Sequence, residues 1–193
     1  MSLYAYPEGN QALLKSLNLI PHPESGYYAE TFRTDETTSS PFAEGATRPL
    51  ATQIYYLLTP KSPKGKMHLN KSITFHTLHQ GRARYTLIKP LPPSAPEGAV
   101  PEIKHVVMGA DSSKGEVRQL VVEGGWWKAS EIPTDDLAQG DPDTTGCLIS
   151  EVVTPGFSFD DHKFLTSAGL VELFRGDEKA EGVEELRQYV RDE

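Results

Sequence analysis

One short segment of the chain carries the residues best suited to chemistry. His68, Asn70, Thr74 and His76 lie close together, and Lys128 follows two glycines and two tryptophans further along. An unperturbed imidazole titrates near pH ~6.5, so either histidine could act as a general acid or base. A lysine side chain can accept a proton, stabilise an oxyanion or form a covalent adduct. If these groups share a pocket, they could transfer protons on a bound molecule.

Other polar and aromatic residues are candidates for contact with a ligand. Glu30 lies among aromatic residues and could act as a base or accept a substrate hydroxyl, or it could pair with Arg33 or Arg84. Lys128 also has a structural alternative, which is to neutralise Glu30 or Glu151. The further candidates for ligand contact are Tyr28, Tyr55, His79, Tyr85, Gln119, Trp127 and Glu151.

Two pairs of adjacent aromatic residues leave a choice open. Side chains alternate between the two faces of a strand, so only one residue of each pair can enter a pocket. For Tyr55 and Tyr56 the neighbouring residues do not decide between them. For Trp126 and Trp127, packing in the core is the commoner role, although stacking on a ligand is the alternative.

The composition favours a single β-rich domain. At 193 residues, the chain is long enough to bury a substantial core. Its 15 prolines and 16 glycines, with 37% hydrophobic residues, suit a turn-rich β protein. The net charge of -8 argues against nucleic-acid and anionic-membrane partners, because both need a basic face.

No export or membrane segment is predicted. Residues 1–7 lack the charged start and continuous apolar stretch of a signal peptide, and no run approaches the roughly 18 apolar residues that span a bilayer. Cys147 is the only cysteine, which excludes an intramolecular disulfide and a cysteine-based zinc site. Its apolar neighbours predict a buried structural thiol. We therefore expect a cytoplasmic protein.

Short apolar segments between turn residues predict a sandwich or barrel. The leucine spacing in residues 10–19 predicts a short helix, and residues 35–49 have the composition of a loop. Residues 133–143 are a Pro- and acid-rich excursion, while 163–174 and 181–190 predict two C-terminal helices. The predicted strands are 26–34, 50–59, 72–79, 84–89, 103–108, 116–122, 126–131 and 146–153.

Four ordered segments together resemble one family. They are LIPHPESGYYAET (19–31), LATQIYYLL (50–58), GE with QLVVEGGWWK (115–128) and VTPGFSF (153–159). They resemble the cupin-like family long catalogued as a domain of unknown function, and TFHTLHQGRARY (74–85) is most similar to its fungal members. The resemblance implies a double-stranded β-helix, the jelly-roll barrel of the cupins, with a ligand pocket inside.

The resemblance covers residues from about 12 to 166, and the length of the chain predicts one domain. A single cupin domain would cover 1–193, with a barrel core over about 25–160 and a helical tail over about 161–193. The fold class is therefore all-β, with a short N-terminal helix and two C-terminal helices. The family further implies a homodimer, often with exchanged N-terminal strands.

Cupin metal motifs are only partly present. The first motif reads His-x-His, then Glu and Gly; this chain keeps His68 and Gly81 but has Asn70 and Thr74 at the second His and the Glu. The second motif ends in His, where this chain has Lys128. An ammonium there would repel a divalent cation by roughly several kcal/mol. We therefore expect no metal cofactor, with a displaced site of His68, His76 and a carboxylate as the alternative.

The motif alignment also predicts which side chains meet. It turns position 74 inward, so that alternation turns His76 inward and His79 outward or toward a neighbouring strand. The side chains expected to converge at the mouth of the barrel are His68, Asn70, Thr74, His76 and Lys128.

Three functions are consistent with this pattern. The first is a metal-independent isomerase, epimerase or cyclase that acts on a small polar or polyketide-like molecule, with His68, His76, Lys128 and Glu30 as proton-transfer groups. The second is a metal-dependent oxygenase or decarboxylase. The third is a protein that binds a small molecule without catalysis.

Overall fold

Two antiparallel sheets make up the body of the protein. The structure is a computed structural model that describes residues 7–191. Residues 1–6 and 192–193 lie outside the described residues, and so does most of the segment that was considered as a signal peptide. Tyr56 and Ile149 of one sheet pack against Tyr85 and Leu87 of the other in a shared buried cluster. Among residues 7–191, every helix is too short or too polar to cross a membrane.

The strands follow a jelly-roll order. The six-stranded sheet has the order β1 (Ile20–Pro21), β2 (Tyr27–Arg33), β5 (Thr52–Leu58), β12 (Cys147–Thr154), β7 (Ile73–Gly81) and β10 (Gln119–Val122). The five-stranded sheet has the order β13 (His162–Phe164), β6 (His68–Asn70), β11 (Trp127–Glu131), β8 (Ala83–Lys89) and β9 (Glu102–Met108). A separate hairpin pairs β3 (Thr37–Ser39) with β4 (Thr47–Pro49).

The apolar run in β5 is continuous because both of its faces are covered. Tyr56 and Leu58 point into the space between the sheets, where they join the shared cluster. Leu57 points outward and is fully buried, because the N-terminal helix α1 (Asn10–Ser16) lays Leu13 over it. A strand covered on both faces loses the alternation of apolar and polar residues that marks a half-exposed one.

The C-terminal tail covers the outer face of the five-stranded sheet. Helices α3 (Ser167–Leu173) and α4 (Val183–Leu186) place Leu170 and Leu186 against Trp127 of β11. Leu170 and Leu186 are fully buried, so the tail closes a second core outside the sheets. The positions of the two sheets are therefore fixed from both sides.

The structure confirms the predicted fold class and corrects several local predictions. The predicted loop 35–49 contains β3 and β4, and the acid-rich excursion contains helix α2 (Thr134–Gln139). The first C-terminal helix begins at Ser167 rather than Lys163, because the preceding segment forms β13. Cys147 is buried as predicted, and burial raises the pKa of its thiol to about 12.

Gly81, the glycine of the first motif, has a steric reason to be glycine. Its φ is 79°, in the left-handed region, and a Cβ atom there would lie 1.8 Å from the carbonyl oxygen of Gly146. The backbone of β12 leaves no room for a side chain at the end of β7. Gly98 has a φ of 75°, but no atom lies within 4 Å of its hypothetical Cβ.

We predict that Gly81→Ala lowers the free energy of unfolding by about 3 kcal/mol or more, from backbone strain and the clash together. Gly98→Ala is the matched control. It introduces the backbone strain without the clash, so it should lower the free energy of unfolding by about 1 kcal/mol. Urea denaturation of both variants measures the difference. Equal losses would show that Gly81 is required for its φ angle only.

Candidate functional site

A cavity opens between the sheets at the end where β1, β13 and the β1–β2 turn meet. Its outer chamber has a volume of about 140 Å³. Charged residues and aromatic rings share its wall, and Arg33 pairs with Glu30 at its rim. The aromatic and imidazole rings in the wall are His22, Tyr28, Phe157, Phe159, His162 and Phe164.

An inner chamber of about 20 Å³ lies deeper and shares Glu24, Ile54 and Glu151 with the outer one. Tyr56 and Tyr85 line the inner chamber, and burial raises the pKa of both phenols well above the ordinary value. Both therefore stay protonated at neutral pH. The inner chamber also contains the histidine and lysine side chains that the sequence singles out.

Lys128 crosses the inner chamber from β11 to the opposite sheet. Its ammonium forms a short hydrogen bond to Glu151 Oε1, and its Nζ lies 3.0 Å from His76 Nε2 and 3.4 Å from Thr74 Oγ1. An ammonium has three N–H donors, so these three contacts use all of them. Of the two acidic partners that the sequence allows for Lys128, the structure selects Glu151.

Electrostatics within this group keep Glu151 ionised. Burial alone would raise its pKa, but the nearby Lys128 and His76 hold the pKa well below its ordinary value of 4.5. Burial and the neighbouring Lys128 lower the pKa of His76, whose Nδ1 lies 3.2 Å from the carbonyl oxygen of Leu120. The group thus combines a carboxylate, an ammonium and a neutral imidazole at neutral pH.

A second group of buried polar side chains surrounds Glu24. The Glu24 carboxylate lies 3.3 Å from His68 Nε2 and 2.9 Å from His162 Nε2, and 3.7 Å from His22 Nδ1. The rings of His68 and His162 stack with their centroids 5.4 Å apart. Three imidazoles therefore contact one carboxylate at the wall of the outer chamber.

The local fold explains how this second group forms. Glu24 lies in the turn between β1 and β2, and its carbonyl oxygen accepts a hydrogen bond from the backbone N–H of Lys66. His162 begins β13, which a buried ion pair of Arg48 with Asp161 anchors at a distance of 2.6 Å. His68 lies on the neighbouring strand β6, directly opposite Phe164.

Burial and neighbouring charges have opposite effects on the pKa values of this second group. It lowers the pKa of His68 to about 4, against the opposing effect of Glu24. For Glu24, burial would raise the pKa, but the adjacent imidazoles, His68 first, hold it below the ordinary value. The group therefore presents an ionised carboxylate beside a neutral ring at neutral pH.

Most of the residues predicted for the site do lie at the cavity. Thr74 does not line either chamber but contacts the Lys128 ammonium. Glu30 is at the rim, where it forms the ion pair with Arg33 that the sequence allows. Those that line a chamber are Tyr28, Glu30, His68, Asn70, His76, Tyr85, Lys128 and Glu151. Their catalytic and binding roles remain predictions.

Four predicted contact residues point away from the cavity. Tyr55 and His79 lie against each other on the outer face of the six-stranded sheet. Gln119 is exposed on that face, and Trp127 packs under the C-terminal helices. The reason is strand alternation, because Tyr56, His76, Leu120 and Lys128 occupy the inward positions. Their positions argue against the predicted ligand contacts, although the outward orientation of His79 is the one that the motif alignment predicts.

Sequence reasoning missed the residues of the second group apart from His68. Glu24 and His22 fall within the first segment of family resemblance, and that segment was the one feature of the sequence that could have identified them as site residues. His162 follows two aspartates that suggest a helix cap, but the cap of α3 is Thr166. Asp161 is instead buried against Arg48.

A metal ion of the cupin type does not fit the four motif positions. Asn70, Thr74 and Lys128 occupy three of them, and only His68 offers an imidazole. The Lys128 ammonium lies within hydrogen-bond distance of Thr74, in the place where a cation would be bound. The alternative with His68 and His76 is also weak, because both ring nitrogens of His76 already have partners.

The fold and the site together define a cupin-type protein with altered motif residues. The chain matches the family described as "Cupin superfamily (DUF985)" over residues 11–165. This match spans most of the chain, and the chain belongs to this family. The resemblance seen in the sequence is thereby confirmed.

Individual proteins agree with this assignment. The chain is 40% identical over 183 residues to "Uncharacterized protein YML079W" of Saccharomyces cerevisiae, which covers 90% of this chain and 84% of that protein. A hypothetical protein from Leishmania major has a similar structure, with a TM-score of 0.78, 31% identity and coverage of 96% of this chain and 100% of that one. Protein SO0799 from Shewanella oneidensis shares the fold, with a TM-score of 0.71, 21% identity and coverage of 96% and 99%.

We predict that Glu151→Gln destabilises the fold by roughly 3 kcal/mol at pH 7, because it leaves the Lys128 ammonium buried without a counterion. A lowered folded-state pKa means that the unfolded chain binds more protons, so the contribution of Glu151 is complete above about pH 5. It is lost as the pH falls below 4.5 toward the lowered pKa. The difference between wild type and variant should therefore shrink between pH 5 and pH 3.

Urea denaturation at several pH values measures this difference. Glu102→Gln is the matched control, since Glu102 pairs with Lys104 at 3.0 Å while both side chains are half exposed. Glu102→Gln should lower the free energy of unfolding by no more than about 1 kcal/mol. A loss in Glu151→Gln that stays constant down to pH 3 would contradict the assignment of an ionised Glu151.

Proposed function

We propose that the chain is a small-molecule enzyme of the isomerase, epimerase or cyclase type that transfers a proton by means of its own side chains. The observation that carries the proposal is Glu151, a buried carboxylate that lines both chambers, accepts a hydrogen bond from Lys128 and lies 3.1 Å from His76 Nε2. A carboxylate at this point can reach a ligand in the outer chamber, while its partners lie behind it. Buried, charge-coupled groups in a cleft are typical of catalytic sites.

The charges at Glu151 indicate the class of substrate. A carboxylate with a lowered pKa is a weak base, so it can remove only a proton that the substrate itself makes acidic. A C–H group next to a carbonyl meets this requirement. The donors of Lys128 are already used, but its fixed positive charge behind Glu151 could stabilise the negative charge that develops on the carbonyl oxygen. A small ketone, aldehyde or ester is therefore the favoured substrate class.

The outer chamber supports a small ligand with an apolar part. Its volume of about 140 Å³ suits a metabolite rather than a polymer. Tyr28, Phe157 and Phe164 provide ring surfaces, and Asn70 provides an amide. Pockets that combine apolar walls with a few fixed polar groups are typical for small molecules.

The alternative function is ligand binding without catalysis. The full use of the Lys128 donors favours this alternative in part, because a group with three satisfied hydrogen bonds can be purely structural. The two functions differ in whether a substrate proton exchanges with solvent. An exchange experiment therefore separates them.

We predict that a ligand identified by mass spectrometry of small molecules that co-purify with the chain exchanges a C–H proton in deuterated water. Glu151→Gln should slow this exchange by about 100-fold or more, the range for loss of a general base. Nuclear magnetic resonance of the ligand measures the rate. Lys104→Met, which alters an exposed lysine of β9, should exchange at the wild-type rate.

Two outcomes would count against the proposed enzyme. A bound ligand that exchanges no proton in the wild type would identify the protein as a binder. Exchange that persists unchanged in Glu151→Gln would show that another group removes the proton.

We also propose that the chain forms a homodimer, as the family resemblance implies. One cross-strand row on the outer face of the six-stranded sheet supports this proposal, because three of its large apolar side chains are exposed. Phe32, Phe75 and Val121 are 58%, 40% and 48% exposed, and the row runs through Gln53 and Val152. Phe75→Glu should convert a dimer to a monomer in sedimentation velocity; a wild-type monomer would contradict the proposal.

A further inference from the structure

His68 Nε2 and Glu24 Oε2 are in contact, and both atoms are acceptors unless a proton or a metal cation lies between them. His68 Nδ1 lies 2.9 Å from the carbonyl oxygen of Lys66. A carbonyl can only accept, so Nδ1 carries the hydrogen and Nε2 of a neutral ring has a free lone pair. That lone pair lies 3.3 Å from Glu24 Oε2, another acceptor. Either a second proton on the ring or a cation must lie between them.

Two further donors converge on the same point. His162 Nε2 lies 2.9 Å from the other oxygen of Glu24, and the ligand atoms of Glu24, His68 and His162 all lie within 4.8 Å of one another. Asn70 is the cross-strand partner of His162 and lies two residues from His68, so its side chain is on the same face. Its Oδ1 is buried at the wall of the outer chamber without a hydrogen-bond partner.

The surroundings of Glu24 lack another cation at contact distance. Within residues 7–191, the ion pairs of Glu24 are with His22, His68 and His162, and none is with a lysine or arginine. His22 accepts a hydrogen bond at Nδ1 from the backbone N–H of Glu24, which holds its ring beside the carboxylate. The Glu24 carboxylate thus lies beside Nε2 of His68 and Nε2 of His162, which contacts it at 2.9 Å, and an unpartnered amide oxygen lies on the same sheet face.

We infer that Glu24, His68 and His162, with the amide oxygen of Asn70, bind a divalent first-row transition-metal ion at the wall of the outer chamber. Two imidazoles and a carboxylate suit zinc, manganese, iron, cobalt or nickel. A tetrahedral ion with bonds of about 2.1 Å holds its ligand atoms about 3.4 Å apart, close to the spacing between His68 and Glu24.

The ligand set differs from that of the cupin motifs. Glu24 and His162 lie outside both motifs, whereas His68 and Asn70 occupy motif positions. The hydrogen bond from His68 Nδ1 to Lys66 fixes the tautomer that presents Nε2, as an outer partner does for most metal-bound histidines. The inference goes beyond the proposed function, because metal binding can be measured without a substrate.

The test is a titration of the full chain, stripped with a chelator and returned to chelator-free buffer, with zinc chloride in a calorimeter. We expect one equivalent of zinc per chain. Glu24→Gln and His162→Gln should each weaken binding by at least tenfold. His105→Gln is the matched control, because His105 is a half-exposed histidine on β9 and should not affect binding.

A second measurement does not depend on the folding of the variants. The wild-type chain loaded with cobalt(II) should show two exchangeable, strongly shifted imidazole N–H signals in its proton spectrum, one from His68 and one from His162. Binding of less than a tenth of an equivalent, or the absence of these signals, would overturn the inference and leave a proton between His68 and Glu24. Wild-type affinity in both Glu24→Gln and His162→Gln would overturn it equally.

Discussion

The ammonium of Lys128 connects the two sheets through the middle of the protein. It extends from β11 of the five-stranded sheet to Glu151 on β12 and His76 on β7 of the other. A buried charge is tolerated only when its hydrogen bonds and its counterion are supplied. The three contacts of Lys128 meet this condition, and they also determine which strand faces turn toward the cavity. The positions of the other polar residues follow from this register.

Strand alternation explains both the successes and the failures of the sequence analysis at the cavity. Once Lys128 points inward, Trp127 must point outward, and the C-terminal helices cover it. The same relation puts Tyr56 inside and Tyr55 outside, a choice that the sequence left open. Motif spacing identified the strands and the inward face of β7, but it assigned ligand contacts to residues of both faces. The jelly-roll fold and the family were predictable because four ordered segments of the sequence resemble the family.

The group around Glu24 depends on contacts between distant parts of the chain. Glu24 and His162 are 138 residues apart, and the folding of β13 beside β6 brings them together. No local pattern encodes such a contact, and the aspartates before His162 suggested a helix cap. Arg48, in a segment predicted to be a loop, anchors the start of β13 through Asp161. Long-range pairing of this kind can be read only from the folded structure.

The two polar groups divide the cavity into parts with different electrostatics. The Glu151 carboxylate is neutralised by the Lys128 ammonium behind it, whereas the Glu24 carboxylate faces imidazoles and an amide. The first arrangement suits proton transfer beside a fixed positive charge. The second suits the binding of a cation. Both open on the outer chamber, so one ligand could contact both.

The central claim is that Lys128 and Glu151 act as one buried unit across the sheets. A double-mutant cycle with Lys128→Met, Glu151→Gln and the combined variant tests it through the free energies of unfolding. Each single variant leaves a buried polar group without its partner, so the account predicts that the combined variant is more stable than Glu151→Gln alone. Losses that simply add, with a coupling energy near zero, would contradict it.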